Sequence, residues 1–180
     1  MKATGIVRRI DDLGRIVIPK EIRRTMRIRE GDPLEIYTDN DGEVVFKKYS
    51  PIGELSPHSS QYADVLCKNS GFPALICDRD HIVAAAGVSR KEYQGRRISP
   101  ELEELMEERK NFSSKPGESK NFVPVEGLER KASVVFPVIA SGDISGAVIL
   151  LENDSGSQPK DSDIKMAQVA AGFLSRQIEE

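Results

Sequence analysis

The sequence predicts two joined units of different class: a small β-rich module over residues 1–50 and an α+β domain with an antiparallel sheet over residues 56–180, with a linker at 51–55. Three observations predict this. Short β-branched runs surround one short helical stretch before Tyr49-Ser50-Pro51-Ile52-Gly53, a Pro/Gly boundary. Beyond it the patterning runs helix, strands, helix, strands, helix. Charge divides at the same place. Residues 1–50 carry 11 Lys/Arg against 9 Asp/Glu, a net +2, whereas residues 51–180 carry 15 against 20, a net −5.

In the first unit, residues 4–10 and 14–18 are β-rich runs joined by Asp11-Asp12-Leu13. Pro19 then suits the first position of a helix, where its missing N–H costs nothing. Residues 20–26 place Ile22 and Met26 on one face, and Gly31-Asp32-Pro33 stops the helix. Residues 34–38 and 44–48 flank Asn40-Asp41-Gly42, and Asp-Gly is a strong hairpin signal. Leu34 with Ile36, and Val44 with Phe46, give each strand one apolar face. So small a module buries too little apolar surface to stand comfortably alone, and no disulfide or metal set is available to staple it. A core shared with a second copy is the physical expectation.

In the second unit a helix is expected from about residue 55 to 69, with strands at 72–77 and 82–86 around Asp78-Arg79-Asp80. Residues 99–109 begin with Ser99 as N-cap, Pro100 at the first helical position, and Glu101 and Glu103 where the helix dipole favours acid. A polar loop is expected over 113–131, a hairpin of strands 132–139 and 144–151, a second polar loop over 153–161, and a closing helix over 163–178. In that helix Ala167, Ala170, Ala171, Leu174 and Ile178 form one stripe, which Met166, Val169 and Phe173 widen. Such a helix must cover its own sheet and something more. The helix at 55–69 is the internal candidate and a second subunit the external one.

Net charge over the whole chain is −3, which conceals a local concentration. Between Arg8 and Arg29 lie eight bases, seven of them arginine, against Asp11, Asp12 and Glu21. Arginine suits phosphate and guanine edges because its planar fork donates two parallel hydrogen bonds. The string LGRIVIPKEIRR, within residues 1–49, resembles the swapped-hairpin, AbrB-type DNA-binding domain of bacterial transition-state regulators. The resemblance implies an N-terminal β-rich dimeric barrel of two interleaved chains on double-stranded DNA. It also implies that Arg8, Arg15, Arg23 and Arg24 face the DNA, with Lys2, Arg9 and Lys20 as further candidates. The string VVFPVIASGDISGAVILLE and the helix after it resemble a GAF domain, a small-molecule-binding and dimerisation fold. The order of the two parts resembles regulators of spore-forming bacteria. It implies a sequence-specific transcription regulator of sporulation genes, cytoplasmic and nucleoid-associated. Its homodimer would form through the N-terminal domain. The C-terminal GAF-like domain would sense a small molecule, join dimers into a homotetramer, or both.

Other readings are blander. Cys77 lies in the apolar run Ala74-Leu75-Ile76-Cys77 and Cys67 in a helix, so packing suits both better than a nucleophile or redox role. His58 and His81 are too isolated for metal chemistry, and Glu101 to Glu108 read as a solvated face. No catalytic set, cofactor or metal is expected. No stretch approaches the ~18 apolar residues of a membrane span, and MKATGIVRR lacks a secretory core. Two alternatives stay open. Some antitoxins share the swapped-hairpin head, although their tails are short and poorly structured, and some GAF-fold proteins are enzymes.

Overall fold

The computed structural model describes residues 4–115 and 122–179, apart from the Ser56 side chain, and it divides into two compact units, Met1–Tyr49 and Ser50–Glu180. Residues 116–121, inside the expected loop at 113–131, lie outside the described residues.

In the first unit the segments at 4–10 and 14–18 form the arms of a hairpin turn. Asp11 donates its N–H to the Arg15 carbonyl at 3.1 Å, and Gly14 donates to the Asp11 carbonyl at 3.0 Å. The Asp11 carboxylate caps the turn by accepting from the backbone of Leu13 and Arg15, and Gly14 takes the positive φ of 76° that the bulge requires. Beyond that closure the arms make no strand ladder within the chain among the described residues, although their composition is that of strands. Helix α1 spans Lys20–Thr25, and strands β1 (Leu34–Thr38) and β2 (Val44–Lys48) pair antiparallel with Ile36 opposite Phe46. The loop between them repeats the first turn. Asp39 Oδ1 accepts from Asp41 and Glu43, and the N–H of Gly42 donates to the Asp39 carbonyl.

No hydrophobic side chain is buried among the described residues of this unit. Val17 is 73% exposed, Ile36 61% and Phe46 40%. One copy therefore has strands and turns but no core.

The second unit carries a five-stranded antiparallel sheet in the order β4-β3-β7-β6-β5. These strands are β3 (Ala74–Cys77), β4 (Ile82–Ala86), β5 (Phe112–Ser113), β6 (Ala132–Ala140) and β7 (Asp143–Leu151). Helices α3 (Ser56–Ser70) and α6 (Asp161–Glu179) cover one face over Ile76, Val134, Val148 and Leu150. On α6, Ala167, Ala170, Ala171 and Leu174 are buried, as their stripe requires. Phe173 stacks on Tyr62 of α3, ring centroids 5.1 Å apart, so α3 is the internal partner. The other face is covered by helix α5 (Pro100–Glu107), the short helix α4 (Arg90–Tyr93) and Val125, over Leu75, Val135 and Ile149. Ser99 caps α5 by accepting from the Leu102 N–H. The segment 122–131, expected as loop, is partly structured: Val125 is buried and bridges to Ile98.

Residues 51–55, read as a linker, are mostly helix: α2 spans Pro51–Glu54 and Ile52 is fully buried in the second unit. Ser50 caps it, accepting from the Gly53 N–H at 3.0 Å while donating its hydroxyl to Asp78 Oδ2 at 2.9 Å. Space for Ile52 exists because Gly146 of β7 has no side chain. A Cβ there would lie 1.9 Å from the Cys77 carbonyl oxygen and 2.8 Å from Ile52 Cδ1. Between Pro51 and Gly53, one apolar residue anchors the start of the second unit.

Candidate DNA interface

Three short pieces of the first unit carry the arginines. Arg8 and Arg9 are exposed on the first arm, ahead of the Asp11 turn. Arg15 opens the second arm and is exposed, and its backbone N–H and its Nε both donate to Asp11, each at 2.8 Å. This leaves its two terminal nitrogens with no further partner among the described residues. The Arg15 hydrogen bonds, backbone first, hold the Asp11 carboxyl below its ordinary range. The turn therefore presents a guanidinium whose orientation is fixed by the same residue that closes the backbone.

Helix α1 carries the rest. Lys20 is exposed at its first residue, and Arg23 and Arg24 share the last turn, Arg24 exposed and Arg23 half-buried. The helix ends in a Schellman arrangement: Ile28 donates to the Arg23 carbonyl at 2.7 Å and Arg27 to the Arg24 carbonyl at 3.2 Å. The left-handed residue is Arg27, at φ 50°. Sequence reading missed the brace on this turn. Lys48 Nζ donates to the Arg27 carbonyl at 2.8 Å, is 3.6 Å from Asp32, and Asp32 accepts from the Arg29 N–H at 2.8 Å. No local signal announces a contact between residues 21 positions apart. Lys2, also a candidate, lies outside the described residues.

Chemically, this unit offers several exposed guanidinium groups on short, hydrogen-bonded turns, suited to a polyanion with regularly spaced phosphates. In the second unit the two cysteines are poor nucleophiles. Burial pushes the Cys77 thiol far up and raises that of Cys67, with Asp64 and Asp78 adding to it, so both stay protonated at neutral pH.

Residues 54–179 match the family described as stage V sporulation protein T C-terminal, transcription factor. Stage V sporulation protein T of Bacillus subtilis (strain 168) is 49% identical over 180 residues, covering 100% of both chains. The chain belongs to the stage V sporulation protein T family. Its head has wider kin. Residues 7–53 match the family described as antidote-toxin recognition MazE, bacterial antitoxin. The transition state regulatory protein AbrB of Bacillus subtilis (strain 168) is 61% identical over 51 residues, 28% of this chain and 52% of that protein. The second unit has the GAF fold. The GAF domain of an Acinetobacter phosphoenolpyruvate-protein phosphotransferase superposes with a TM-score of 0.55 at 11% identity, over 73% of this chain and 84% of that one. Among members of the stage V sporulation protein T family this chain therefore keeps both parts, an AbrB-type head and a GAF-like domain with an antiparallel sheet.

Proposed function

We propose that this sporulation transcription factor binds double-stranded DNA as a homodimer interleaved through its heads, with Arg8, Arg15, Arg23 and Arg24 on the DNA. Arg9, Lys20 and Lys2 lend further charge. The observation that carries this reading is the head itself: Arg8, Arg9, Arg15, Lys20 and Arg24 are exposed, Arg23 is half-buried, and none of its described hydrophobic side chains is buried. A second copy supplies what one copy lacks, a core made from Ile16, Val17, Ile36 and Phe46 and partner strands for the bare arms. Phosphate contacts from two symmetric sets of arginines set affinity and orientation. Guanine-edge contacts and DNA shape supply sequence preference.

The GAF-like domain joins two dimers into a tetramer, and it is also the part of the chain where a small molecule would be sensed. Tetramer formation is supported by apolar residues left on the outer face of the helical layer, with Val169 65% exposed. Cytoplasmic, nucleoid-associated work follows from the DNA-binding role. A toxin-binding role, which the antitoxin match to the head would suggest, is disfavoured by the folded domain in place of a short unstructured tail.

The test is the affinity of the full chain for promoter DNA of a spore-forming host, measured against salt. The logarithmic slope should be steep, about −0.9 for each phosphate neutralised. Arg15→Ala and Arg23→Ala should each weaken binding about tenfold or more, since hydrogen bonds to charged groups contribute about 1.5–3 kcal/mol. Light scattering should show an unchanged assembly. Retained affinity in both variants would remove the arginine assignment, and co-purification of a small toxin would revive the other reading.

A further inference from the structure

We propose that Arg27 is a further DNA-contacting residue, presented by a left-handed turn that Lys48 holds in place. This rests on the DNA-binding reading above and adds a site to it. The argument begins with the backbone. At φ 50° Arg27 occupies the position just past a helix end where glycine is the usual choice, because a Cβ is disfavoured there. Elsewhere among residues 4–49 the positive-φ positions are all glycine: Gly5, Gly14, Gly31 and Gly42. Here alone the head accepts the less comfortable residue.

It also braces that residue. The Lys48 ammonium donates to the Arg27 carbonyl at 2.8 Å, and Lys48 is itself near Asp32, which accepts from the Arg29 N–H. The brace grips only the main chain. The Arg27 side chain is exposed and has no hydrogen-bond or ion-pair partner among the described residues. It follows Arg23 and Arg24 by one turn, with its N–H bonded to the Arg24 carbonyl. A guanidinium in a costly backbone conformation, unpaired among the described residues and next to two proposed DNA contacts, has the chemistry of a phosphate or guanine-edge ligand.

One competing account has the same location. A cation at a helix C-terminus interacts favourably with the dipole. That account and ours separate under Arg27→Gly, because glycine relieves the backbone and removes the charge. A dipole role predicts DNA binding unchanged, whatever the balance of lost charge and relieved backbone does to stability. A DNA contact predicts weaker binding with a shallower salt slope.

The experiment uses the full chain, calorimetry, and fluorescence anisotropy on a promoter duplex from a spore-forming host over a range of salt. Arg27→Gly is expected to melt at or above the wild-type temperature yet bind about tenfold more weakly. Its salt slope should be shallower by about 1.8 where both copies lose one phosphate contact. A loss of affinity confined to particular promoter sequences would support a base-edge contact and so the same assignment. Lys48→Met, which removes the brace and its charge, should weaken binding, and Lys48→Arg, which keeps both a donor and the charge, should bind more nearly as the wild type does. Wild-type affinity and slope in Arg27→Gly would overturn the inference while leaving the DNA reading intact. Failure of the wild-type chain itself to bind would remove both.

Discussion

Asp11 holds Arg15 at two points: Oδ1 accepts the Arg15 backbone N–H and Oδ2 accepts its Nε, each at 2.8 Å. One carboxylate thus closes a turn and aims a guanidinium. At the other hairpin Asp39 builds the same turn, but Glu43 stands where Arg15 stands here. The two loops share a backbone and differ in charge, so only the first is suited to a phosphate.

The two functions of Asp11 can be separated. Asp11→Asn keeps an oxygen for the turn and removes a negative charge close to the proposed phosphate. Its DNA affinity should equal or exceed the wild-type value. Asp11→Ala loses the turn acceptor as well, freeing Arg15, and should bind about tenfold more weakly, the worth of one charge-assisted hydrogen bond. Anisotropy titrations of both variants check this. An equal loss in both would mean that the ion pair, and not the turn, positions Arg15.

Acid should release the same grip. The Arg15 hydrogen bonds lower the Asp11 pKa from its ordinary 3.8, so the folded state gives up this proton more readily than the unfolded chain. The contribution to stability is therefore complete above the ordinary carboxylate range and is lost as pH falls through the lowered folded value. Melting temperatures of the wild type and Asp11→Asn, taken across acid pH, should converge below that range. A difference that stayed constant with pH would exclude the linkage.

How far this was legible in the sequence differs by residue. Asp11-Asp12-Leu13 and Asn40-Asp41-Gly42 announce their turns because aspartate and glycine have specific roles in tight turns. Ser99-Pro100 announces its helix for a similar local reason. The arms at 4–10 and 14–18 read as strands, yet they make no ladder among the described residues, because β-rich composition alone does not supply a pairing neighbour. Ile52 was hidden for another reason. Its burial depends on the missing side chain of Gly146, far along the chain, and a Pro-Ile-Gly string looks like a linker until that gap is known. Arg27 stands out only as one of eight clustered bases, evenly balanced between a DNA contact and a surface residue; its left-handed backbone gives no signal, since arginine is seldom expected at positive φ.

The Gly146 contact leads to a sharp expectation. Gly146→Ala would put a methyl group into the Cys77 carbonyl and Ile52, where backbone must move. Overpacking of this kind costs about 1–3 kcal/mol, and more where main chain is the obstacle. Ser50→Ala, removing the cap of α2 and its bond to Asp78, should cost about 1 kcal/mol. Denaturant unfolding of the second unit measures both. A neutral Gly146→Ala would mean that β7 does not approach the Asp78 turn this closely.

The outer face of α6 tests the assembly. Val169 is 65% exposed and Phe173 44%, on a helix whose opposite stripe of Ala167, Ala170 and Leu174 is already buried in the sheet. Val169 makes no ring contact, so Val169→Glu should leave the fold near wild-type stability, as substitutions away from buried features do. Placed in a helix-to-helix joint, however, that carboxylate would be buried without a partner. Light scattering should then report two chains in place of four. DNA binding should weaken through lost avidity, with each remaining dimer keeping its own salt-dependent contacts. Phe173→Ala is the less direct variant, because it also removes the stack on Tyr62, worth about 0.5–1.5 kcal/mol. If Val169→Glu kept four chains together, the joint would lie elsewhere on the GAF-like domain, and the breadth of the α6 stripe would need another explanation.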